Sequence, residues 1–66
     1  MELEVNGAAT RLEEGASLND LVITLGLQEQ RIAIEVNQEI IPRSQHMQHQ
    51  LRAGDKVEVV HAIGGG

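Results

Sequence analysis

Residues 57–63, Val-Glu-Val-Val-His-Ala-Ile, place apolar side chains on both alternating faces of one extended run. Val57, Val59 and Ile63 share a face with His61, and Val60 and Ala62 lie on the other. A strand that is apolar on both sides belongs inside a sheet, so other strands must flank this one. A chain of 66 residues has room for one such sheet and one core, and for little else. The run then passes directly into Gly64-Gly65-Gly66, where the sequence stops. Glycine has no Cβ, so this tail is slim and adopts backbone angles closed to other residues. Extended, the residues from His61 onward reach roughly 20 Å, enough to carry the terminal α-carboxylate into another protein's active site. The expectation is that the reactive group of this chain is its own C-terminus. The same glycines would also suit a frayed end or the cut edge of a domain.

The segments before this strand supply its neighbours. Met1, Leu3 and Val5 alternate with Glu2, Glu4 and Asn6, the period of a half-buried strand. Asn6-Gly7 is the strongest short hairpin signal, because a type I′ turn needs positive φ at both central positions. A two-residue loop sets Val5 opposite Ala8, Leu3 opposite Thr10 and Met1 opposite Leu12, which gathers the apolar side chains largely on one face. Ser17 followed by Asp20 is a short-armed capping box. Leu18, Leu21, Val22 and Leu25 then form one apolar stripe at helical spacing. Gly26 stands where a helix takes a left-handed C′ residue, so the helix is expected over residues 18–25. Leu27 should pack under its end.

Ile32, Ile34 and Val36 mark a third strand, Asn37-Gln38 a turn, and Glu39-Ile40-Ile41 a short fourth strand halted by Pro42. Proline cannot donate to a ladder, so that strand lies or ends at an edge. Ser44 is positioned to cap a short helical turn running through His49. Leu51 anchors the next loop, Gly54-Asp55 turns the chain, and the last strand begins at Lys56. The order is hairpin, helix, two strands, last strand, with the helix across one face of the sheet. The last strand most naturally pairs parallel to the first. This is an α+β fold of the β-grasp type: a mixed four- to five-stranded sheet packed on one helix over residues 1–63, with residues 64–66 as a tail.

Composition removes several functions. The absence of cysteine excludes disulfides, thiolate metal sites and a thiol nucleophile. There are no aromatic residues, so no platform for stacking single-stranded bases exists. Ten acidic residues against five basic ones give a net charge of −5, which argues against nucleic acid. That charge suits docking on a basic protein surface, and plain solubility accounts for it equally well. No apolar run approaches membrane-spanning length and no leader opens the chain, so no membrane partner and a cytoplasmic location are expected. His46, His49 and His61 offer no obvious further ligand and read as surface histidines, with no metal site. No pair of carboxylates is spaced for acid–base work, so no catalytic residue is assigned. Ile40, Val60 and Ile63 are candidates for a docking patch near the last strand. Arg43 is a further candidate, as a partner contact or as one half of a salt bridge.

The chain resembles the sulfur carrier proteins of thiamin biosynthesis, the ThiS family within the ubiquitin-like β-grasp group. The resemblance rests on Val5-Asn6-Gly7 and on the segment from Ala33 through Asn37-Gln38 to Pro42-Arg43. It also rests on Leu51-Arg52-Ala53-Gly54-Asp55-Lys56-Val57-Glu58-Val59-Val60 and on the ending His61-Ala62-Ile63-Gly64-Gly65-Gly66. It implies that a ThiF-type adenylating enzyme uses ATP to activate the Gly66 carboxylate, with no cofactor bound to the carrier itself. A cysteine desulfurase or a rhodanese-type donor then supplies sulfur, giving a thiocarboxylate on Gly66, and thiazole synthase takes that sulfur. Ile63, Gly64 and Gly65 would be the part of the tail inserted into the partner. The chain would be a co-substrate and not an enzyme. Two alternatives remain at this stage: the small subunit of a molybdopterin synthase, usually longer and with aromatics, and a β-grasp binding module indifferent to its last residue.

Overall fold

The computed structural model describes residues 1–61. The last two residues of the expected final strand, Ala62 and Ile63, and the tail residues Gly64, Gly65 and Gly66 lie outside the described residues.

The strands are β1 (Glu2–Val5), β2 (Ala8–Arg11), β3 (Ile32–Val36), β4 (Glu39–Ile40) and β5 (Lys56–His61), and the one α-helix, α1, is Leu18–Thr24. They form a sheet in the order β2-β1-β5-β3-β4, with β5 at its centre. β5 runs parallel to β1, through Glu4–Lys56 and Val5–Val57, and antiparallel to β3 from Ile32–His61 to Val36–Val57. This is the β-grasp arrangement expected from the order of the elements.

Each junction has a local cause. Asn6 and Gly7 have φ of 50° and 83°, the backbone of a type I′ turn. The register they set is the one the alternation requires, Val5 opposite Ala8 and Leu3 opposite Thr10. Helix α1 opens on a capping box in which Asp20 N–H donates to Ser17 Oγ (3.1 Å) and Ser17 N–H to Asp20 Oδ2 (2.9 Å). It closes on Gly26, with φ of 72°. There the Leu27 N–H reaches the Val22 carbonyl and the Gly26 N–H the Ile23 carbonyl, the paired bonds of a Schellman ending.

The core lies between α1 and one sheet face: Leu18, Leu21 and Val22 meet Leu3, Val5, Ile34, Val36, Val57 and Val59. Ile41 and Leu51 close it at the side, and Leu27 packs against it as expected. Among the described residues the other sheet face carries no helix. Val60 is 57% exposed on it, so β5 is central without being buried on both sides. A strand was expected over Glu39-Ile40-Ile41, but β4 holds two residues. Ile41 follows it, still donating its N–H to the Ile34 carbonyl (2.9 Å), with its side chain turned into the core.

The segment after Pro42 differs from expectation in two ways. Its helical part is a 3₁₀ turn, Arg43–Gln45, whose N-cap is Pro42 and not Ser44, and no side chain caps it. Ser44 lies inside the turn, and the Pro42 carbonyl accepts the Gln45 N–H at 2.9 Å. His46 is not a surface residue: it is 5% exposed, and its Nε2 lies 3.0 Å from the Ile41 carbonyl. A carbonyl only accepts, so Nε2 carries the proton. The segment from His46 onward docks on the start of α1. The Asn19 N–H bonds to the His46 carbonyl (3.1 Å) and the Leu18 N–H to the His49 carbonyl (2.8 Å). These bonds satisfy donors that a helix start leaves open, and they draw the imidazole inside.

Candidate functional site

The site is built around the strand that feeds the tail. β5 enters the sheet at Lys56 and reaches His61, the last described residue, which is exposed and faces Ile32 of β3. Its entry is pinned by Asn37, whose backbone holds φ of 52°. Asn37 Oδ1 accepts the Lys56 N–H (3.0 Å), Asn37 N–H donates to the Lys56 carbonyl (2.7 Å), and Asn37 Nδ2 donates to Asp55 Oδ1 (3.0 Å). Nearer the tail, the Asn6 side chain does similar work. Its Oδ1 accepts the Val59 N–H (2.8 Å) and its Nδ2 donates to the Val59 carbonyl (3.2 Å). Both asparagines were legible as turn residues, but their second use as side-chain clamps on β5 was not. No local pattern signals a contact that spans 53 positions of sequence.

The helix-free face of the sheet carries the docking candidates. Ile40 (68% exposed) stands opposite Glu35, and Val60 stands opposite Ala33. Side chains two apart along a strand share a face, so Ala33 and Glu35, Glu58 and Val60, and Ile40 all project from this side. Glu35 and Glu58 face each other directly across β3 and β5, a like-charge pair that costs stability where it stands. On the same face Glu4 stands opposite Lys56 and Glu2 opposite Arg11, so each has a cation across from it, although among the described residues neither pair closes to within 4.0 Å. The result is a small apolar surface beside the strand that leads to the tail, flanked by unmatched negative charge.

Arg43 is placed differently. Its Nη2 donates to the carbonyls of Gln28 and Gln30, each at 3.3 Å, and among the described residues it has no carboxylate partner within 4.0 Å. The salt-bridge reading of Arg43 is thus replaced by a tie to the loop that opens β3 at Ile32, the residue facing His61. The three histidines are not brought together. His46 is inside, His49 half-buried, and His61 exposed at the end of β5, and among the described residues no group of His, Asp or Glu is arranged to hold a metal. An open groove of about 990 Å³ lies around the entry of β5, beside Asn37, His49, Arg52 and Asp55. The Asp55 carboxylate there is already engaged, with Oδ2 accepting the Arg52 N–H at 2.8 Å. No helix among the described residues is long and apolar enough to cross a membrane.

With this geometry in place, likeness to known proteins is informative. A thiazole synthase of Paramagnetospirillum magneticum is 36% identical over all 66 residues, and the chain spans a fifth of that protein's length. The sulfur carrier protein ThiS of Escherichia coli is 30% identical, with the whole of both chains covered. The crystal structure of a thiamine biosynthesis protein, ThiS, from Geobacter metallireducens superposes with a TM-score of 0.86 at 29% identity, again over all of both chains. The model of the ThiS family matches residues 2–66, which includes the glycine tail. The chain belongs to the ThiS family.

Proposed function

We propose that this chain is the sulfur carrier of a thiamin-type pathway and that its reactive group is the Gly66 α-carboxylate. The observation that carries the reading is the family match, which runs through the strand β5 and on to residue 66. A carboxylate is a poor acyl donor, because its charge repels nucleophiles and it has no good leaving group. An ATP-dependent, ThiF-type partner would join a carboxylate oxygen to the α-phosphorus of ATP and release pyrophosphate. The resulting mixed anhydride offers AMP as its leaving group. The terminal sulfur of a persulfide, supplied by a cysteine desulfurase or a rhodanese-type protein, displaces AMP. A second thiol then takes the remaining sulfur as a disulfide and leaves a thiocarboxylate on Gly66. Thiazole synthase is the proposed acceptor enzyme, and the match to part of a protein of that name supports the pairing. The chain itself binds no cofactor in this scheme and acts as a co-substrate in the cytoplasm.

The fold's part is to present the tail. A rigid central strand leads to it, and glycines without side chains suit a narrow channel. Tail contacts alone bury little area, so the partner needs a second point of contact. We assign that role to the helix-free face around Ile40, Ala33 and Val60, with Ile63 and Gly64-Gly65 entering the partner. The partner surface that fits it is apolar at the middle, with Arg or Lys side chains toward Glu35 and Glu58. Arg43 contributes from the side by holding the loop before β3. The names of the full-length relatives favour thiamin over molybdopterin chemistry. Deleting Gly66, or adding one residue after it, should abolish sulfur transfer to thiazole synthase while the fold is unchanged by circular dichroism. Full transfer by either variant would point to a binding module instead.

A further inference from the structure

β1 accompanies β5 only as far as Val57, because the chain turns back at Asn6-Gly7. Beyond that point, among the described residues, no strand lies on the β1 side of β5. The Asn6 N–H still reaches the Val57 carbonyl (2.9 Å), and the Asn6 side chain then takes both backbone groups of Val59. A primary amide has the same donor and acceptor as a peptide unit, so it stands in for the one that β1 does not supply. From Val60 onward β5 depends on β3 alone, through Val60–Ala33 and His61–Ile32.

We propose that Asn6 is a positioning residue for the reaction at the C-terminus: it fixes where β5 stops being held on its β1 side, and so the point from which the chain leads on to Gly66. This rests on the reading of Gly66 as the reactive group. The turn alone does not need the amide, since glycine adopts the Asn6 backbone angle with less strain. Asn37 serves as an internal comparison. It too has positive φ, and its amide oxygen holds an N–H of the same strand, but at Lys56, the end away from the tail.

Without the Asn6 amide, the Val59 N–H and carbonyl turn to water and the strand end frays back toward Val57. Each residue so freed must be ordered again when the tail enters a partner, a penalty of roughly 5- to 30-fold per residue. Ile40 and Ala33 of the docking face stand on β4 and β3 and are untouched, so the larger part of that penalty falls after docking, on kcat.

The test compares Asn6→Gly, Asn6→Asp and Asn37→Gly. Amide exchange of Val59 is read against Val57 in the isolated protein, and kcat and KM are read for adenylation by a thiamin-pathway activating enzyme. In Asn6→Gly, Val59 should exchange about tenfold faster relative to Val57, and kcat should fall at least about fivefold with KM within about twofold. Asn6→Asp keeps the acceptor and loses the donor, and should fall between. Asn37→Gly should lower Tm with kcat unchanged. Unchanged Val59 exchange in Asn6→Gly, an unchanged kcat, or an equal loss of kcat in both glycine variants overturns the proposal. A wild-type chain that is not adenylated overturns the reading of Gly66 and the proposal with it, whereas adenylated wild type with an insensitive Asn6→Gly overturns the proposal alone.

Discussion

His46 shows how much one side chain can tie together. Its imidazole is 5% exposed and donates to the Ile41 carbonyl, while its own carbonyl accepts the Asn19 N–H at the start of α1. His46→Ala removes the ring and leaves the Ile41 carbonyl without the imidazole donor, so a loss of about 2–3 kcal/mol is expected. Denaturant titration should show a lower midpoint with an unchanged slope. The sequence did not betray this burial. Residues 42–50 have neither a strand nor a helix period, and the ring is inside only because the segment docks on the helix start. Asn6 and Asn37 were half legible in the same sense. Their turns followed from the dipeptides Asn6-Gly7 and Asn37-Gln38, while their bonds to β5 depend on which strand the fold sets beside them. Arg43 likewise drew notice for its charge, but its partners are backbone carbonyls, which no composition rule can name.

Among the elements, α1 was the most legible, because stripe, cap and stop signal agreed on nearly the same residues. Its seven residues are too few to hold as a helix alone, so its ends matter. Ser17→Ala removes the acceptor of the Asp20 N–H and leaves only the backbone half of the capping box, which should cost about 1 kcal/mol. For a domain of this size that is a Tm lowered by about 4–8 °C, measurable by circular dichroism. β5 was placed at the centre of the sheet for a reason that holds only in part. Apolar residues on both sides set a strand between neighbours without burying both of its faces, and among the described residues the Val60 face carries no helix. What the pattern recorded on that side was an exposed surface beside the route to the tail. β4 was read one residue long because Ile40 and Ile41 are chemically alike. Their fates differ through strand alternation, Ile40 out and Ile41 in.

At the scale of the whole molecule, the described residues form one five-stranded sheet with a helix across one face, and the chain is acidic. Its net charge of −5 and the facing Glu35–Glu58 pair predict association with the proposed activating partner that slows as salt rises. Glu58→Gln removes the repulsion, so it should raise Tm slightly and at the same time lower the association rate and its salt dependence. Stopped-flow binding and a thermal melt on the same variant read both effects. A variant that associates as fast as wild type would remove these carboxylates from the docking face. The β-grasp fold followed from element order alone, but the proposed chemistry rests on the family likeness, because a terminal carboxylate comes with no constellation of side chains for a pattern to reveal. The most direct measurement is the intact mass of the protein after incubation with a thiamin-pathway adenylating enzyme, ATP and a persulfide donor. The account predicts a gain equal to one oxygen replaced by sulfur, absent from the chain lacking Gly66. An unchanged mass, with the Escherichia coli carrier converted in parallel, would contradict it.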